Sequence, residues 1–207
     1  PLYALNKMYL LMEKQHNRGQ DGVGIANIKF DVNVGKRYIS RKRSVAVNPL
    51  QDVFEQVNRR FVELEKKDAE KLKNPNWLKE KLPFTGELFL GHLRYGTFGK
   101  NTIEQCHPFL RQNNWKTRSL ALAGNFNMTN VEELFQQLVD LGQHPKEMAD
   151  TVTILEKIGH FLDEENDRIY YKYKNNYSKK EITKLIEEEI NLQDILVQSA
   201  KYWDGGY

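Results

Sequence analysis

The sequence predicts an α+β fold, on three observations. Segments with helical spacing of apolar residues alternate with short stretches of period-two alternation. The strand-like segments arrive in pairs separated by turns, which favours hairpins and an antiparallel or mixed sheet over a series of parallel crossovers. Apolar residues make up 40% of 207 positions, enough for a sizeable core in one α-and-β domain.

Taken in order, Leu5, Met8, Tyr9 and Met12 recur at helical spacing and predict a helix over Leu2–Lys14. A polar loop with two glycines, Asn17-Arg18-Gly19-Gln20-Asp21-Gly22, follows. Gly24–Phe30 then alternates as a strand, with Ala26, Ile28 and Phe30 on one face and Asn27 and Lys29 on the other. After a turn at Asp31–Lys36, Arg37–Val47 reads as a strand whose basic residues suit a solvated edge. Its cluster Arg41-Lys42-Arg43 is too short to indicate more than that exposed edge. Pro49–Leu72 is expected to be a helix, with Pro49 in its first turn and Val53, Phe54, Val57, Phe61 and Leu64 along one stripe. The charged stretch Glu65–Lys81, with Asn74-Pro75-Asn76 inside it, reads as a surface excursion rather than a linker.

Glu87–Arg94 reads as a buried strand and Arg118–Ala123 as another. Three helices are expected to follow. The first carries Val131, Leu134, Phe135, Leu138 and Leu141 behind a Thr129/Glu132 capping box and ahead of Gly142. The second spans Asp150–Tyr170, with Ile154, Leu155, Ile158, Phe161 and Leu162. The third places Ile182, Leu185, Ile186 and Ile190 behind a Ser178/Glu181 capping box. No internal repeat or low-complexity tract is present.

Composition narrows the function classes. With 31 Lys and Arg against 28 Asp and Glu, a net +3 gives little electrostatic footprint for a nucleic-acid binder. The longest apolar run is five residues, Met8–Met12, so no membrane span is expected. One cysteine, Cys106, excludes an internal disulfide and an all-cysteine metal cage, and fits a reducing, cytoplasmic setting. It reads as a semi-buried, inert thiol. The start at Pro1 and the close on Trp203-Asp204-Gly205-Gly206-Tyr207 suggest the interior of a longer protein, without a signal peptide.

Four segments place polar residues and glycines at strand ends, where rigid elements can hold a site: 15–24, 91–97, 124–130 and 149–151. Each has a plain structural explanation. Arg94 at the end of an apolar strand suits a structural ion pair. Asn125 and Asn127 suit turns, and Asp150 lies where a helix N-cap belongs. His16 and His92 lack a second histidine or carboxylate at ligand spacing, so no metal site is expected.

Together the segments resemble the class II, N-terminal-nucleophile glutamine amidotransferases. Gln15-His16-Asn17-Arg18-Gly19-Gln20-Asp21 is most similar to the glutaminase domain of the amidophosphoribosyltransferases. Gly91-His92-Leu93-Arg94-Tyr95 resembles that family's Gly-His-Val-Arg-Tyr, and Leu122–Asn130 its Leu-Ala-His-Asn-Gly-Asn-Leu-Thr-Asn. Leu50–Phe54 and Trp203–Tyr207 also stand where similar segments would. The resemblance covers nearly the whole chain.

It implies a four-layer αββα sandwich of mainly antiparallel sheets, incomplete at both ends, with residues 1–207 forming the glutaminase domain without its first and last strands. The implied activity is hydrolysis of L-glutamine to supply ammonia for aminating phosphoribosyl pyrophosphate in purine synthesis. The acceptor half would be a C-terminal phosphoribosyltransferase domain that carries Mg2+ and lies outside this sequence. Homo-oligomers are expected, and no cofactor in this domain. By resemblance, Arg94 clamps the substrate carboxylate, since a guanidinium fork matches it with two parallel hydrogen bonds. Asp150 pairs with the substrate ammonium and Thr97 adds a positioning contact. The Asn125 side chain and the Phe126 backbone N–H form the oxyanion hole. Separations of 31 residues (Arg94 to Asn125) and 25 (Asn125 to Asp150) leave room for an intervening strand and helix.

Three departures accompany the likeness. The family's His-Asn-Gly is here Gly124-Asn125-Phe126, so Phe126 would be strained if its position required positive φ. Asn17 reads as an insertion. The family nucleophile, a first-residue cysteine whose own α-amine is the base, is absent, and the fragment alone is expected to be inactive. Two alternatives stand beside this reading. One is the glutaminase domain of another class II enzyme, with a sugar-phosphate, aspartate or 2-oxoglutarate acceptor. The Arg-Gly-Gln-Asp spelling favours the purine enzyme over the sugar one. The other is a non-catalytic relative used for binding.

Overall fold

The structure is a computed structural model that describes residues 2–96 and 102–207. The chain divides into two compact units, Pro1–Pro108 and Phe109–Tyr207.

In the first unit, helix α1 (Tyr3–Lys14) leads through a 3-10 turn into strand β1 (Gly22–Ile28), which is followed by β2 (Ile39–Ser44). Helix α2 (Pro49–Asp68), a 3-10 segment, α3 (Pro75–Lys81) and β3 (Leu88–Arg94) complete it. The sheet order is β2-β1-β3 and both pairings are antiparallel, with Val23 opposite Ser44 and Gly22 opposite Arg94. β2 is therefore an edge of this sheet, but not the solvated one expected: Lys42 is its one exposed residue. The hairpin that the second pair of strand-like segments suggested does not form: β3 pairs with β1, 60 to 72 residues earlier in the chain. β3 is half-buried rather than buried, with Leu88 48% exposed.

The inward face of β1 differs from the expectation. Val23 and Ile25 pack with Leu5, Met12, Val53, Phe54, Val57 and Phe61 of α1 and α2, whereas Phe30 lies past the strand and is exposed. The anticipated polar face is not solvated either: Asn27 and Lys29 are both buried. Each is satisfied locally. The Asn27 amide donates to the Leu88 carbonyl at 3.0 Å and accepts from the Gly86 N–H at 2.8 Å. The Lys29 ammonium donates to the carbonyls of Lys79 and Leu82, both at 2.6 Å, and burial followed by the charge of Arg37 lowers its pKa. Those carbonyls come from α3 and its end, within the stretch expected to be a surface excursion. Asn74 caps α3 by accepting from the Trp77 N–H, and Leu78 is buried against the unit, so 74–82 is an integral layer. The long helix stops at Asp68 instead of Leu72 and continues as 3-10 turn.

The second unit begins with the antiparallel hairpin β4 (Phe109–Arg111) and β5 (Leu120–Leu122). The two-residue strand β6 (Asn127–Met128), helices α4 (Val131–Asp140), α5 (Asp150–Tyr173), α6 (Lys179–Glu189) and α7 (Leu192–Ala200), and β7 (Gly205–Gly206) on β6 follow. Helix α5 is the spine, contributing Ile154, Ile158 and Leu162 to a core with Met128, Leu134 and Ile195. Arg111 of β4 fastens the hairpin to it by a two-point ion pair with Asp163 and a 3.3 Å contact to Glu156. Gly159 makes this possible, because a Cβ there would lie 2.5 Å from the Arg111 Nε. The Ser178/Glu181 capping box is formed as expected. The Thr129 box is not: Asn130 is the N-cap, and the Thr129 hydroxyl donates instead to Asp204 at 2.5 Å, tying β6 to the segment before β7.

Lys29→Met keeps the aliphatic stem but removes the ammonium from two part-buried carbonyls, of which Leu82 keeps the Thr85 hydroxyl as a donor. A loss of about 1–3 kcal/mol in urea-unfolding free energy is expected. An unchanged midpoint would show that those carbonyls find other partners.

Candidate functional site

Three glycines shape the strand ends of the first unit. Gly19 is extended and runs against the end of β3, where a Cβ would lie 2.7 Å from the backbone of Leu93 and Arg94. At Gly22 a Cβ would meet the Cys106 sulfur at 2.4 Å, and at Gly24 the His107 carbonyl at 1.8 Å. A side chain at either position would push the 104–108 segment off β1.

That segment is held from the opposite side by β2. Alternation puts Arg41 and Arg43 on one face of this strand. Arg41 donates to the Pro108 carbonyl at 3.2 Å, and Arg43 to those of Cys106 at 2.7 Å and Glu104 at 3.4 Å. The basic cluster is therefore a clasp at two of its three positions, while Lys42 alone is exposed, 3.2 Å from Gln56. Burial lowers the Arg41 pKa, with the charge of Arg43 adding to it.

Cys106 and His107 lie between. The Cys106 thiol is fully buried, 3.6 Å from the Ser44 carbonyl, and burial pushes its pKa up, so it stays protonated and inert. His107 stacks on His92 with ring centroids 4.3 Å apart. His92 has no histidine near it along the chain; the fold supplies one, in a stacked rather than a ligating arrangement. Burial, then the neighbouring His92, Arg94 and Arg43, lower the His107 pKa to about 3, so the ring is neutral near pH 7. Among the described residues, no group of three or more His, Cys, Asp or Glu side chains is placed to hold a metal ion.

Arg94 is the last residue of β3. Its Nη2 donates to the Gln105 side-chain oxygen at 2.8 Å. Its carbonyl accepts from the Asp21 N–H at 3.1 Å, and the Asp21 carboxylate accepts from the Gly96 N–H at 2.7 Å. Thr97 lies outside the described residues.

In the second unit the chain leaves β5 at Leu122 and reaches β6 through Asn125, which is exposed, and Phe126. Left-handed backbone among described non-glycine residues occurs at Asp31 and Phe84 only, so the strain considered for Phe126 does not arise. The Phe126 ring folds back over Gly124, where a Cβ would lie 2.4 Å from it, and packs on the core around Met128. Asp150 is the first residue of α5 rather than its N-cap, which is Ala149. Its carboxylate accepts from the Met128 N–H at 3.0 Å, at the helix end where negative charge is favoured. This bond draws the 125–128 segment to the first turn of α5. The structure thus ties Asp150 to Met128, two residues past Phe126, within the second unit, and carries Arg94 in the first. Asp21, Gln105, Arg43 and His107 were not singled out in the sequence for these contacts. Only the arginine alternation in β2 gave a local signal.

No protein-family model matches the chain. It is similar to curated amidophosphoribosyltransferases. One from Archaeoglobus fulgidus is 30% identical over 161 residues, covering 78% of this chain and 28% of that protein. One from Lacticaseibacillus casei is 26% identical over 155 residues, covering 75% of this chain and 64% of that protein. The chain thus spans less than two thirds of either relative. Among solved structures, the glutamine phosphoribosylpyrophosphate amidotransferase of Bacillus subtilis, complexed with ADP and GMP, matches 95% of this chain and 30% of its own. The TM-score is 0.53 at 22% identity, a likeness of fold.

Two outcomes test this packing. Gly24→Ala forces its Cβ against the His107 carbonyl and should destabilise the chain by about 1–3 kcal/mol, whereas Gly206→Ala, which meets nothing within 4 Å, should not. Equal thermal midpoints for the two would contradict the close approach. The second concerns pH. From its ordinary 6.5 down to about 3, the unfolded chain takes up a proton at His107 that the folded chain refuses. Stability therefore falls with falling pH across that window, by up to about 1.4 kcal/mol per unit. In urea titrations at pH 4 to 7, the stability advantage of wild type over His107→Gln should shrink as pH drops; a constant gap would contradict a buried neutral ring.

Proposed function

We propose that the chain is most of the glutaminase domain of an amidophosphoribosyltransferase. The observation that carries this reading is the similarity to amidophosphoribosyltransferases over three quarters of the chain, together with the four polar segments in family order. In this reading the fold is a four-layer αββα sandwich of mainly antiparallel sheets; the first unit carries Arg94, and the second carries Asn125, Phe126 and Asp150. Homo-oligomers, and a C-terminal phosphoribosyltransferase domain carrying Mg2+ and the acceptor, belong to the same proposal.

The chemistry asks each residue for a distinct service. Glutamine carries a carboxylate and an ammonium at one end and the amide to be cleaved at the other. Arg94 grips the carboxylate through the fork geometry that makes guanidinium selective for planar anions. Asp150 accepts from the ammonium, its Met128 contact fixing the orientation of the carboxylate. Thr97 adds a further positioning contact. As the nucleophile attacks, the amide oxygen gains negative charge, which the Asn125 side chain and the Phe126 N–H stabilise. One such donor is worth about 3 kcal/mol, on the order of 10²-fold in rate. Cys106 cannot serve as the nucleophile: it is buried and its thiol is held protonated. The reading therefore needs a cysteine outside these 207 residues, and the chain by itself is expected to release no ammonia from glutamine.

Arg94→Ala and Asp150→Ala in the intact enzyme should each raise the glutamine KM or lower kcat/KM by about 10²-fold while sparing ammonia-dependent amination. Asp150→Ala should also cost about 1–2 kcal/mol of stability through the lost Met128 bond. Normal glutamine use in either variant would remove that residue from the substrate contacts. Amination of an acceptor other than phosphoribosyl pyrophosphate would move the chain to another class II enzyme.

A further inference from the structure

Asp21 belongs to the glycine-containing loop, yet the proposed chemistry leaves it without a part. Its two ends grip the chain at two points just after the Arg94 side chain's attachment. The Asp21 N–H donates to the Arg94 carbonyl at 3.1 Å, one step beyond the Gly22–Arg94 pair that ends the β1–β3 ladder. Its carboxylate then accepts from the Gly96 N–H at 2.7 Å. A strand end normally frays, because its last N–H and C=O groups lose their ladder partners. Here one residue satisfies a carbonyl at position 94 and an N–H at position 96, which fixes where β3 stops and how the backbone turns away.

Gly96 shows how closely the groups converge. A Cβ on it would lie 3.2 Å from the Arg94 Nη1 and 3.3 Å from the Asp21 Oδ2, so guanidinium and carboxylate flank the same backbone point. The far side of the guanidinium is steadied by Gln105. The Arg94 head is thus steadied by Gln105 and its backbone by Asp21. A bidentate grip on a planar carboxylate tolerates little rotation of the fork, so a backbone left to fray at residues 94–96 would lose the match.

We propose that Asp21 is a positioning residue for glutamine binding, acting by clasping the backbone at Arg94 and Gly96; this rests on the reading of Arg94 as the carboxylate clamp. It touches no reacting atom. Its loss therefore affects glutamine binding and leaves the acceptor reaction alone.

The test is steady-state kinetics of the intact enzyme, with glutamine and with ammonia as nitrogen donor, for Asp21→Ala, Asp21→Asn and Arg94→Ala side by side. Asp21→Ala should raise the glutamine KM about tenfold, with ammonia-dependent turnover unchanged. Asp21→Asn keeps an oxygen for the Gly96 N–H and should restore KM to within about threefold of wild type. A normal KM in Asp21→Ala beside a raised one in Arg94→Ala overturns the proposal alone. So does an Asn variant as impaired as the Ala variant, or an equal loss of both activities. A normal KM in Arg94→Ala overturns the clamp reading itself. Hydrogen exchange at the Gly96 amide gives a separate check: faster exchange in Asp21→Ala supports the clasp, and unchanged exchange contradicts it.

Discussion

The first unit depends on what is missing from one face of β1. At Gly22 and Gly24 the absence of a Cβ lets the 104–108 segment lie directly on the strand, with the Cys106 sulfur and the His107 carbonyl occupying the space side chains would fill. Once seated, that segment is locked by Arg41 and Arg43 reaching over from β2 to its carbonyls. Gln105, carried on it, then meets the guanidinium of Arg94. Backbone contact comes first, cationic clasping second, and the orientation of Arg94 follows from both.

The second unit achieves a comparable result by different means. Asp150 places a carboxylate at the start of a 24-residue helix and bonds it across to the Met128 N–H. The helix is in turn fixed to the β4–β5 hairpin by Arg111, which fits because residue 159 is glycine. A loop carrying Asn125 and Phe126 is therefore tethered at both ends to rigid elements. This is the condition under which a few polar groups can be pre-positioned for a charge that develops during reaction.

Much of this was legible in the sequence where the determinant is local. Helical spacing located α1, α2, α4, α5 and α6, and the Ser178/Glu181 pattern marked a real cap. What escaped has a common cause in partners distant along the chain. The orientation of β1 was inverted because Asn27 and Lys29 look solvated, whereas carbonyls and an N–H some 50–60 residues away satisfy them. Thr129 spells a capping box, but Asp204 competes successfully for its hydroxyl. Helix α7 has the short, mostly apolar sequence Leu192–Ala200, in which Leu192, Leu196 and Val197 stay exposed, so burial periodicity is weak. The polar segments of the candidate site stood out as motifs; the clasp residues Asp21, Gln105 and Arg43 acquire meaning only from the fold.

The proposed function rests on two separate assignments, Arg94 as the grip on the carboxylate of glutamine and Asp150 as the acceptor from its ammonium. A crystal structure of the intact enzyme with bound glutamine measures this directly. The account predicts the substrate carboxylate within hydrogen-bond distance of Arg94 and its ammonium within the same distance of Asp150. Glutamine bound elsewhere, or with either residue out of reach, would contradict it.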